Sequence, residues 1–368
     1  MSRYLFFAEQ AYAYAILRPL QAEMRRRGDE AAWWLEPTCP NRLLDGERLL
    51  TTLSEVKQWA PVAVFAPGNW VYDFFPGVKV QVFHGYPINK RNDRHDDHFT
   101  LRGWFDIYCT QGPASTLPFQ TLAAQKGYFA VYETGWAKAD TYFPADGNGG
   151  AETADGGQEL GGKSDFTAWK NCDAPTILVG STFSKGISAL ETLYPTIERL
   201  SRERDWRWVV TLHPKLTDPE LHAKYRLLDE HRANVLFRPN GLSASGMLAT
   251  DAMLCDSSSI IVEYMLLGKP VVTLRNTTAG PHLINVDTPE QVEQALEMAL
   301  TQPPALMQAI SDYTARMEAH RDGHNCARIL DAVADFLAHR QQEMRRKPLN
   351  LFRRLKVRLH FLKHHKRK

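Results

Sequence analysis

Residues 4–35 read YLFFAEQAYAYAILRPLQAEMRRRGDEAAWWL, with short apolar runs at both ends and helical spacing of apolar residues between them. The run at 4–8 predicts a strand, 12–27 predicts a helix that stops at Gly28 in the C-cap position, and 31–35 predicts a second strand. A strand, a helix and a strand of these lengths are typical of a parallel sheet covered by helices.

The alternation of strands and helices continues along most of the chain. In the first half, strands are predicted at 62–65, 78–83 and 105–109, with helices near 47–59 and 114–126. In the second half, strands are predicted at 176–180, 206–212, 235–237, 252–255 and 270–274, and helices near 187–204, 219–231, 258–267, 289–300, 304–320 and 325–339. The pattern predicts an α/β protein with two Rossmann-like, doubly wound domains, whose ligand cleft lies between them at the carboxyl ends of the strands.

Composition divides the chain into four parts. Between residues 145 and 162 there are seven glycines, and Leu160 is the only large apolar residue. Such a segment cannot bury enough surface to offset its ordering entropy, which predicts a flexible linker or insertion at 145–172; a mobile loop near a site is the alternative. The predicted domains are therefore 1–144 and 173–340, followed by a tail at 341–368; the family resemblance described below implies that the first binds the acceptor and the second the nucleotide donor.

The overall composition excludes several classes of protein. With 368 residues, 44% apolar and 23% charged, the chain is neither disordered nor collagenous. Five scattered cysteines without a CxxC pair indicate reduced thiols in the cytoplasm and argue against structural zinc. No apolar run approaches the roughly 18–20 residues that span a bilayer. Glu9 interrupts the one stretch that resembles a signal peptide, so we expect the protein to begin near Met1.

The net charge of +2 conceals a strong asymmetry. Residues 345–368 contain 11 Lys or Arg and no acidic residue, which leaves 33 basic against 42 acidic residues in the rest. Within 351–363 apolar residues recur at helical spacing, with Val357 and Phe361 interrupting the polar face. A basic amphipathic helix is predicted to hold the enzyme on the anionic inner face of the cell membrane. A disordered tail, a nucleic-acid-binding arm and a helix docked on the acidic body are the alternatives; the acidic body argues against nucleic acid.

Two histidines follow predicted strands directly. The first, His84 in FHGYPINK (83–90), has the near-neutral pKa that suits a general base, and Gly85 is expected to let the backbone turn sharply. The second, His213 in VVTLHPK (209–215), precedes a proline that ends the strand. Each histidine alone is more often structural or solvated. Two of them facing one cleft predict a base and a phosphate partner.

A serine cluster follows the predicted strand 252–255. The sequence DSSSIIVE (256–263) places Asp256 and three serines before a helix, and hydroxyls with free backbone N–H groups there suit a phosphate or pyrophosphate. Glu263 lies one turn after Ser259 and is placed to accept from ribose hydroxyls. A plain helix N-cap is the alternative.

A charged cluster, RNDRHDDH at 91–98, contains His95, Asp96 and His98, but without a predicted strand or helix it is interpreted as a solvated loop and not a metal site. The sequence has neither a GxGxxG nor a Walker loop.

Taken in order, these motifs resemble the CDP-glycerol glycerophosphotransferase family, the teichoic-acid-polymerase-like enzymes with a GT-B fold. The resemblance covers residues 75–275. The family's HG-x-P-x-x-K motif is matched by His84, Gly85, Pro87 and Lys90, and its G-x-P-R-x-D motif in part by Gly135, Lys138 and Asp140. Its HP motif is matched by His213 and Pro214, and its D-x-S-S motif with a following acid by Asp256, Ser258, Ser259 and Glu263. Ala137 and Lys138 replace the family's proline and arginine, and 181–185 ends in Lys185 where the family has P-T-W-R. Lysine keeps the charge but loses the bidentate fork of arginine.

The resemblance implies transfer of glycerol phosphate, or a related polyol phosphate, from a CDP-linked donor to a hydroxyl of a surface polysaccharide or lipid-linked intermediate. His84 would deprotonate the acceptor, with Gly85, Lys90 and Lys138 at the acceptor and its phosphates. His213 would bind or protonate the departing CMP. Lys185, Asp256, Ser258, Ser259 and Glu263 would bind the donor.

Because the motifs contain no carboxylate pair dedicated to Mg²⁺, we expect neither metal nor cofactor. A glycosyltransferase of the same fold that uses a CMP- or UDP-linked sugar, and a non-catalytic assembly factor at the membrane, are the alternatives.

Overall fold

Two parallel sheets organise the chain, one in each of two units. A computed structural model describes residues 1–87, 97–145, 173–182, 188–212, 216, 218–239, 241–242 and 244–365. Of these residues, unit 1 contains 1–87, 97–145 and 317–365, and unit 2 contains those between 173 and 316. Lys90, Lys185 and His213 lie outside the described residues, as does the predicted linker after Ala145.

The sheet of unit 1 has seven parallel strands. They are β1 (Arg3–Ala8), β2 (Glu30–Leu35), β3 (Arg48–Leu49), β4 (Ala63–Ala66), β5 (Val78–Gln81), β6 (Ile107–Thr110) and β7 (Ala130–Glu133). The helices between them are α1 (Tyr12–Arg26), α2 (Leu53–Trp59) and α3 (Pro113–Lys126). The spatial order is β3-β2-β1-β4-β5-β6-β7, so the direction of winding reverses between β1 and β4. Such a switch point is where α/β sheets bind ligands.

The sheet of unit 2 has six parallel strands. They are β8 (Thr176–Val179), β9 (Arg207–Thr211), β10 (Val235–Arg238), β11 (Ala252–Cys255), β12 (Val271–Leu274) and β13 (Ile284–Val286). The helices are α4 (Leu190–Glu203), α5 (Pro219–His231), α6 (Ala244–Leu248), α7 (Ile260–Leu266), α8 (Val292–Leu300) and α9 (Pro304–Met317). The order β10-β9-β8-β11-β12-β13 reverses between β8 and β11. The predicted fold class, two Rossmann-like α/β domains, is confirmed.

The segment after α9 returns to unit 1. The sequence predicts instead that the second domain extends to residue 340, so this boundary is corrected. The next helix, α10 (Asn325–Asp335), begins where the Asp140 carboxylate accepts from the backbone N–H groups of Asn325 and Cys326, at 3.0 and 2.8 Å. Arg27 at the end of α1 pairs with Asp331 at 2.6 Å. Hydrophobic spacing predicted a helix here, but it does not say which sheet that helix covers.

The last helix, α11 (Leu351–His365), also belongs to unit 1. Within the described residues, no helix combines the length and apolarity needed to cross a bilayer.

Candidate active site

His84 lies at the carboxyl edge of the sheet in unit 1. It follows the end of β5 by three residues, is exposed, and its Nδ1 is 3.3 Å from the carbonyl oxygen of Pro67, which follows β4. A carbonyl oxygen only accepts hydrogen bonds, so this contact places the proton of the neutral ring on Nδ1 and the lone pair on Nε2. The ring of Tyr12, at the start of α1, lies 5.1 Å from the imidazole. The tautomer is the one that a general base at Nε2 requires.

The turn that presents His84 is made by Phe83. The backbone φ of Phe83 is +55°, in the left-handed region, whereas Gly85 is not in that region and a Cβ there would meet no atom within 4 Å. The expectation that Gly85 makes the sharp turn was therefore wrong. Left-handed backbone costs a non-glycine residue about 1–3 kcal/mol, so the surroundings must hold it. The Phe83 side chain is buried, and the backbone carbonyl of Phe83 accepts a hydrogen bond from Trp136 Nε1 at 3.1 Å, so the surroundings hold this conformation.

A buried carboxyl group, Glu318, ties the His84 loop to the loop after β7. Tyr86 Oη donates to Glu318 Oε2 at 2.7 Å, and the backbone N–H of Trp136 lies 3.2 Å from both carboxylate oxygens. Burial, the largest effect, raises the pKa of Glu318 to about 8. The same loop is held at Gly85, whose carbonyl accepts from Gln111 Nε2 at 2.8 Å.

Sequence reasoning missed both Gln111 and Glu318. Gln111 directly follows β6, a position that the pattern of strands could have identified. Glu318 carries no motif, and no signal in the sequence pointed to it.

Lys138 lies at the same edge of unit 1. Its ammonium is 5.5 Å from the ring centre of Trp136 and 5.7 Å from that of Tyr142, within the range of cation–π contacts. Because the indole of Trp136 also holds the carbonyl of Phe83, one side chain links Lys138 to the His84 loop.

Glu9 is a second carboxyl group that sequence reasoning did not assign to the site. It directly follows β1 at the switch point, and a Cβ added to Gly68 would collide with its carboxylate. Burial, and then the charge of Glu36, raise the pKa of Glu9 to about 7. Its Oε1 is buried without a hydrogen-bond partner among the described residues. Its position directly after a buried strand was the available signal.

In unit 2, Asp256 directly follows β11 at the switch point. Its carboxylate accepts from the hydroxyl of Ser181 and from the backbone N–H groups of Thr182 and Ala189, at 2.9 and 3.1 Å. Burial raises the pKa of Asp256, and these hydrogen bonds oppose that rise. Asp256 therefore holds the described residues on both sides of the segment between β8 and α4, and its contact with a donor stays a prediction.

The serine cluster follows Asp256. Ser258 is buried, and Ser259 stands at the start of α7 with helical backbone and no capping hydrogen bond from its side chain. The carboxylate of Asp256 is engaged by the neighbouring segment after β8, and a helix N-cap stays the alternative for the serines. Glu263 is buried within α7. A helix of seven residues contributes little by its end alone, so any anion contact would rest on the hydroxyls.

The structure thus groups the predicted residues by unit. His84, Gly85 and Lys138 share one edge of unit 1, and Asp256, Ser258, Ser259 and Glu263 lie together in unit 2. Within the described residues there is no group of three or more His, Cys, Asp or Glu side chains suited to a metal ion.

His98, expected in a solvated loop, instead stacks on Phe83 at 5.1 Å, and burial lowers its pKa to about 4. A cavity of about 590 Å³ lies at the opposite edge of the sheet, near Lys79 and Asp106, away from His84.

Known proteins resemble this chain in part of its sequence and in its fold. No protein-family model matches it. A UDP-N-acetylglucosamine 2-epimerase from Salmonella typhimurium is 30% identical over 132 residues, which are 34% of this chain and 34% of that protein. The match therefore spans about a third of the length of this curated relative.

Solved structures match over most of the chain. The wall teichoic acid polymerase TagF is 12% identical with a TM-score of 0.61, covering 90% of this chain and 88% of its own. A UDP-GlcNAc 2-epimerase from Neisseria meningitidis bound to UDP-GlcNAc is 14% identical with a TM-score of 0.59, covering 90% and 100%. The chain has a GT-B-like fold. Because both kinds of protein share the GT-B-like fold at these low identities, the likeness is one of architecture, and membership of the CDP-glycerol family stays a prediction.

Proposed function

We propose that the protein is a transferase that moves glycerol phosphate, or a related polyol phosphate, from a CDP-linked donor to a hydroxyl of a cell-surface polysaccharide or lipid-linked intermediate. The observation that carries this proposal is His84, exposed on a strained and clamped loop with its Nδ1 against the carbonyl of Pro67. Strained backbone that the surroundings hold firmly is typical of functional sites.

The first chemical step uses the lone pair on His84 Nε2. It takes the proton of the acceptor hydroxyl while the acceptor oxygen attacks the phosphorus that bears the glycerol. A new P–O bond forms, the bond to the bridging oxygen of the pyrophosphate breaks, and CMP leaves with that electron pair. Lys138 beside the same loop would offset negative charge on phosphate oxygens.

The donor would bind to unit 2. By the family resemblance, Ser258 and Ser259 contact the pyrophosphate and Glu263 the ribose, while Lys185 and His213 neutralise the leaving CMP. Asp256 would act indirectly, because its carboxylate holds the backbone at Thr182 and Ala189. That loop follows β8 at the switch point of the sheet, where a nucleotide is expected. One structure of TagF was obtained with CDPG, which supports a CDP-linked donor for this fold.

A UDP-linked sugar is the second candidate donor. The curated relatives with the matching third of sequence are UDP-N-acetylglucosamine 2-epimerases, and the Neisseria structure holds UDP-GlcNAc. With such a donor the same base would activate an acceptor hydroxyl for attack on a sugar carbon, and a nucleotide would again be the leaving group.

One assay separates these reactions. The protein is incubated with CDP-glycerol, CMP-sugars or UDP-GlcNAc, with a polyol-phosphate or glycan acceptor, and released nucleotide and product linkage are measured. The proposal predicts acceptor-dependent CMP release from CDP-glycerol and a phosphodiester in the product. Release of UDP with a glycosidic product would establish the second candidate. Conversion of UDP-GlcNAc to its C2 epimer without nucleotide release would contradict both.

A further inference from the structure

Exposed apolar side chains concentrate on the last helix of the chain. Of the thirteen large apolar side chains that are exposed among the described residues, six lie between residues 349 and 362. Five of these belong to α11, and Phe352, 91% exposed, is the most open of all. The five, called the outer row below, are Leu351, Phe352, Leu355, Leu359 and Leu362. Contiguous exposed apolar surface of this kind usually marks an interaction site.

The outer row stays exposed because α11 docks through another face. Val357 and Phe361 pack against the core of unit 1, and the Phe361 ring stacks on Trp34 at 5.9 Å. At roughly 100° per residue, Leu355 and Leu359 of the outer row lie about 120° to 160° around the helix from these two positions. In the sequence pattern Val357 and Phe361 interrupt the polar face of the helix, and in the structure these two residues form the docking face.

Ion pairs hold the docked helix in place. Arg358 and Arg354 pair with Asp73 at 3.2 and 3.5 Å, and His360 Nε2 lies 3.0 Å from the buried carboxylate of Glu36. The acidic body thus engages one face of α11, and in the part of the chain that the structure describes the outer row stays exposed. Of the alternatives named for the tail, a helix docked on the acidic body describes this arrangement, although the docking leaves the outer row exposed; a disordered tail does not.

The charge around the outer row identifies its partner. The segment 345–368 has 11 Lys or Arg and no acidic residue, and helical spacing places Lys356 and Lys363 beside the row. An apolar strip bordered by cations complements a surface that has acyl chains beneath anionic headgroups. A nucleic acid would use the cations but leave the leucines exposed. We propose that the outer row of docked α11 inserts into the headgroup layer of an anionic membrane.

The test is co-sedimentation of the full chain with vesicles of phosphatidylglycerol and phosphatidylcholine, and with phosphatidylcholine alone. Binding to the anionic vesicles is expected, decreasing as salt rises. The double variant Leu355→Ser with Leu359→Ser should bind at least about tenfold more weakly, because it removes two inserted side chains. Leu227→Ser, at a similarly exposed leucine on α5, is the matched control and should bind as the unchanged chain does.

A second variant tests which face meets the lipid. Phe361→Ser weakens docking but leaves the outer row intact, so vesicle binding should persist. Loss of binding in Phe361→Ser with none in the leucine pair would overturn the proposal. So would equal sedimentation of the leucine pair and the unchanged chain, or a dimer in solution that the leucine pair dissociates while no vesicles are bound.

Discussion

Units 1 and 2 each hold the loops at the carboxyl edge of a sheet with a buried carboxyl group, but they take it from different places. In unit 2, Asp256 directly follows β11 and accepts hydrogen bonds from the neighbouring loop after β8. In unit 1, Glu318 comes from a segment outside the sheet and meets Tyr86 across 232 positions of sequence. The difference shows that, in the same architecture, the loops of a candidate site can be held by a carboxyl group next to the strand end or by one far away in the sequence.

The largest effect is expected at the residue that the remote carboxyl group supports. His84→Ala should lower turnover by about two to four orders of magnitude, the usual effect of losing a positioned base. Binding of CDP should remain, because the proposed donor contacts lie in unit 2. Nucleotide release measures the first quantity and calorimetric titration the second. His339→Ala, at an exposed histidine on the same unit, is the control. Loss of CDP binding in His84→Ala would show that this histidine binds the donor and does not act as the base for the acceptor.

Removing the local carboxyl group should damage the stability of unit 2. Asp256→Ala leaves the buried N–H groups of Thr182 and Ala189 without their acceptor, whereas the Ser181 hydroxyl keeps Ser188 Oγ and the carbonyl of Thr182 as partners. Each buried group that loses its partner costs about 1–3 kcal/mol, and the surrounding backbone can relax in part. We therefore expect the free energy of unfolding to fall by about 3 kcal/mol. Urea denaturation measures it, with Asp256→Asn as the milder variant. An unchanged unfolding curve would mean that Asp256 does not organise this loop.

The remote carboxyl group should give the protein a dependence on pH. Burial raises the pKa of Glu318 to about 8, so between about pH 5 and 8 the folded chain holds a proton that the unfolded chain has lost. The free energy of unfolding should therefore fall as pH rises through this window, by at most about 1.4 kcal/mol per pH unit from one group. Glu318→Gln removes that contribution.

Denaturation of both chains at several pH values measures the difference, which also cancels the similar contribution of Glu9. Parallel stability curves would contradict the prediction. Turnover of Glu318→Gln should change as well, because the carboxyl group positions the His84 loop through Tyr86 and Trp136.

The smallest effect is expected at the serine cluster. Ser258→Ala with Ser259→Ala should raise the Kd for CDP about tenfold, the effect of losing hydrogen bonds to a charged group, with little change in Tm. Ser257→Ala is the matched control, since its hydroxyl accepts from the backbone N–H of Thr277 at 3.1 Å and should matter for stability. A large fall in Tm without a change in Kd would make the pair structural.

The central strands of both sheets could be predicted from the sequence because they are buried on both faces and therefore read as continuous apolar runs. The strands that were missed, β3, β7 and β13, all lie at sheet edges. Edge strands are half-exposed or very short, so their apolar signal is weak. The helix expected from residue 47 begins only at Leu53, because Arg48 and Leu49 pair with β2 and Thr52 caps α2.

The site was predictable where chemistry and strand ends coincide, as at His84 and Asp256. It was not predictable where the conformation or the role of a residue depends on tertiary packing. The left-handed φ of Phe83 depends on burial and on Trp136, and the role of Glu318 depends on which unit the segment after α9 joins. Those are properties of the folded chain that no local pattern encodes.

The return of the chain to unit 1 after α9 has a consequence for biosynthesis. The described residues of unit 2 all lie in sequence between the sheet of unit 1 and Glu318, so every described strand leaves the ribosome before the residue that holds the His84 loop through Tyr86. Domains generally fold as units while the chain emerges, and unit 2 has its full sequence first. The hydrogen bond from Tyr86 to Glu318, which holds the His84 loop, can form only after residue 318 has been made. A nascent chain that stalls within unit 2 therefore carries the proposed base, His84, without the contact between Tyr86 and Glu318; under the proposed function, catalytic competence arrives last.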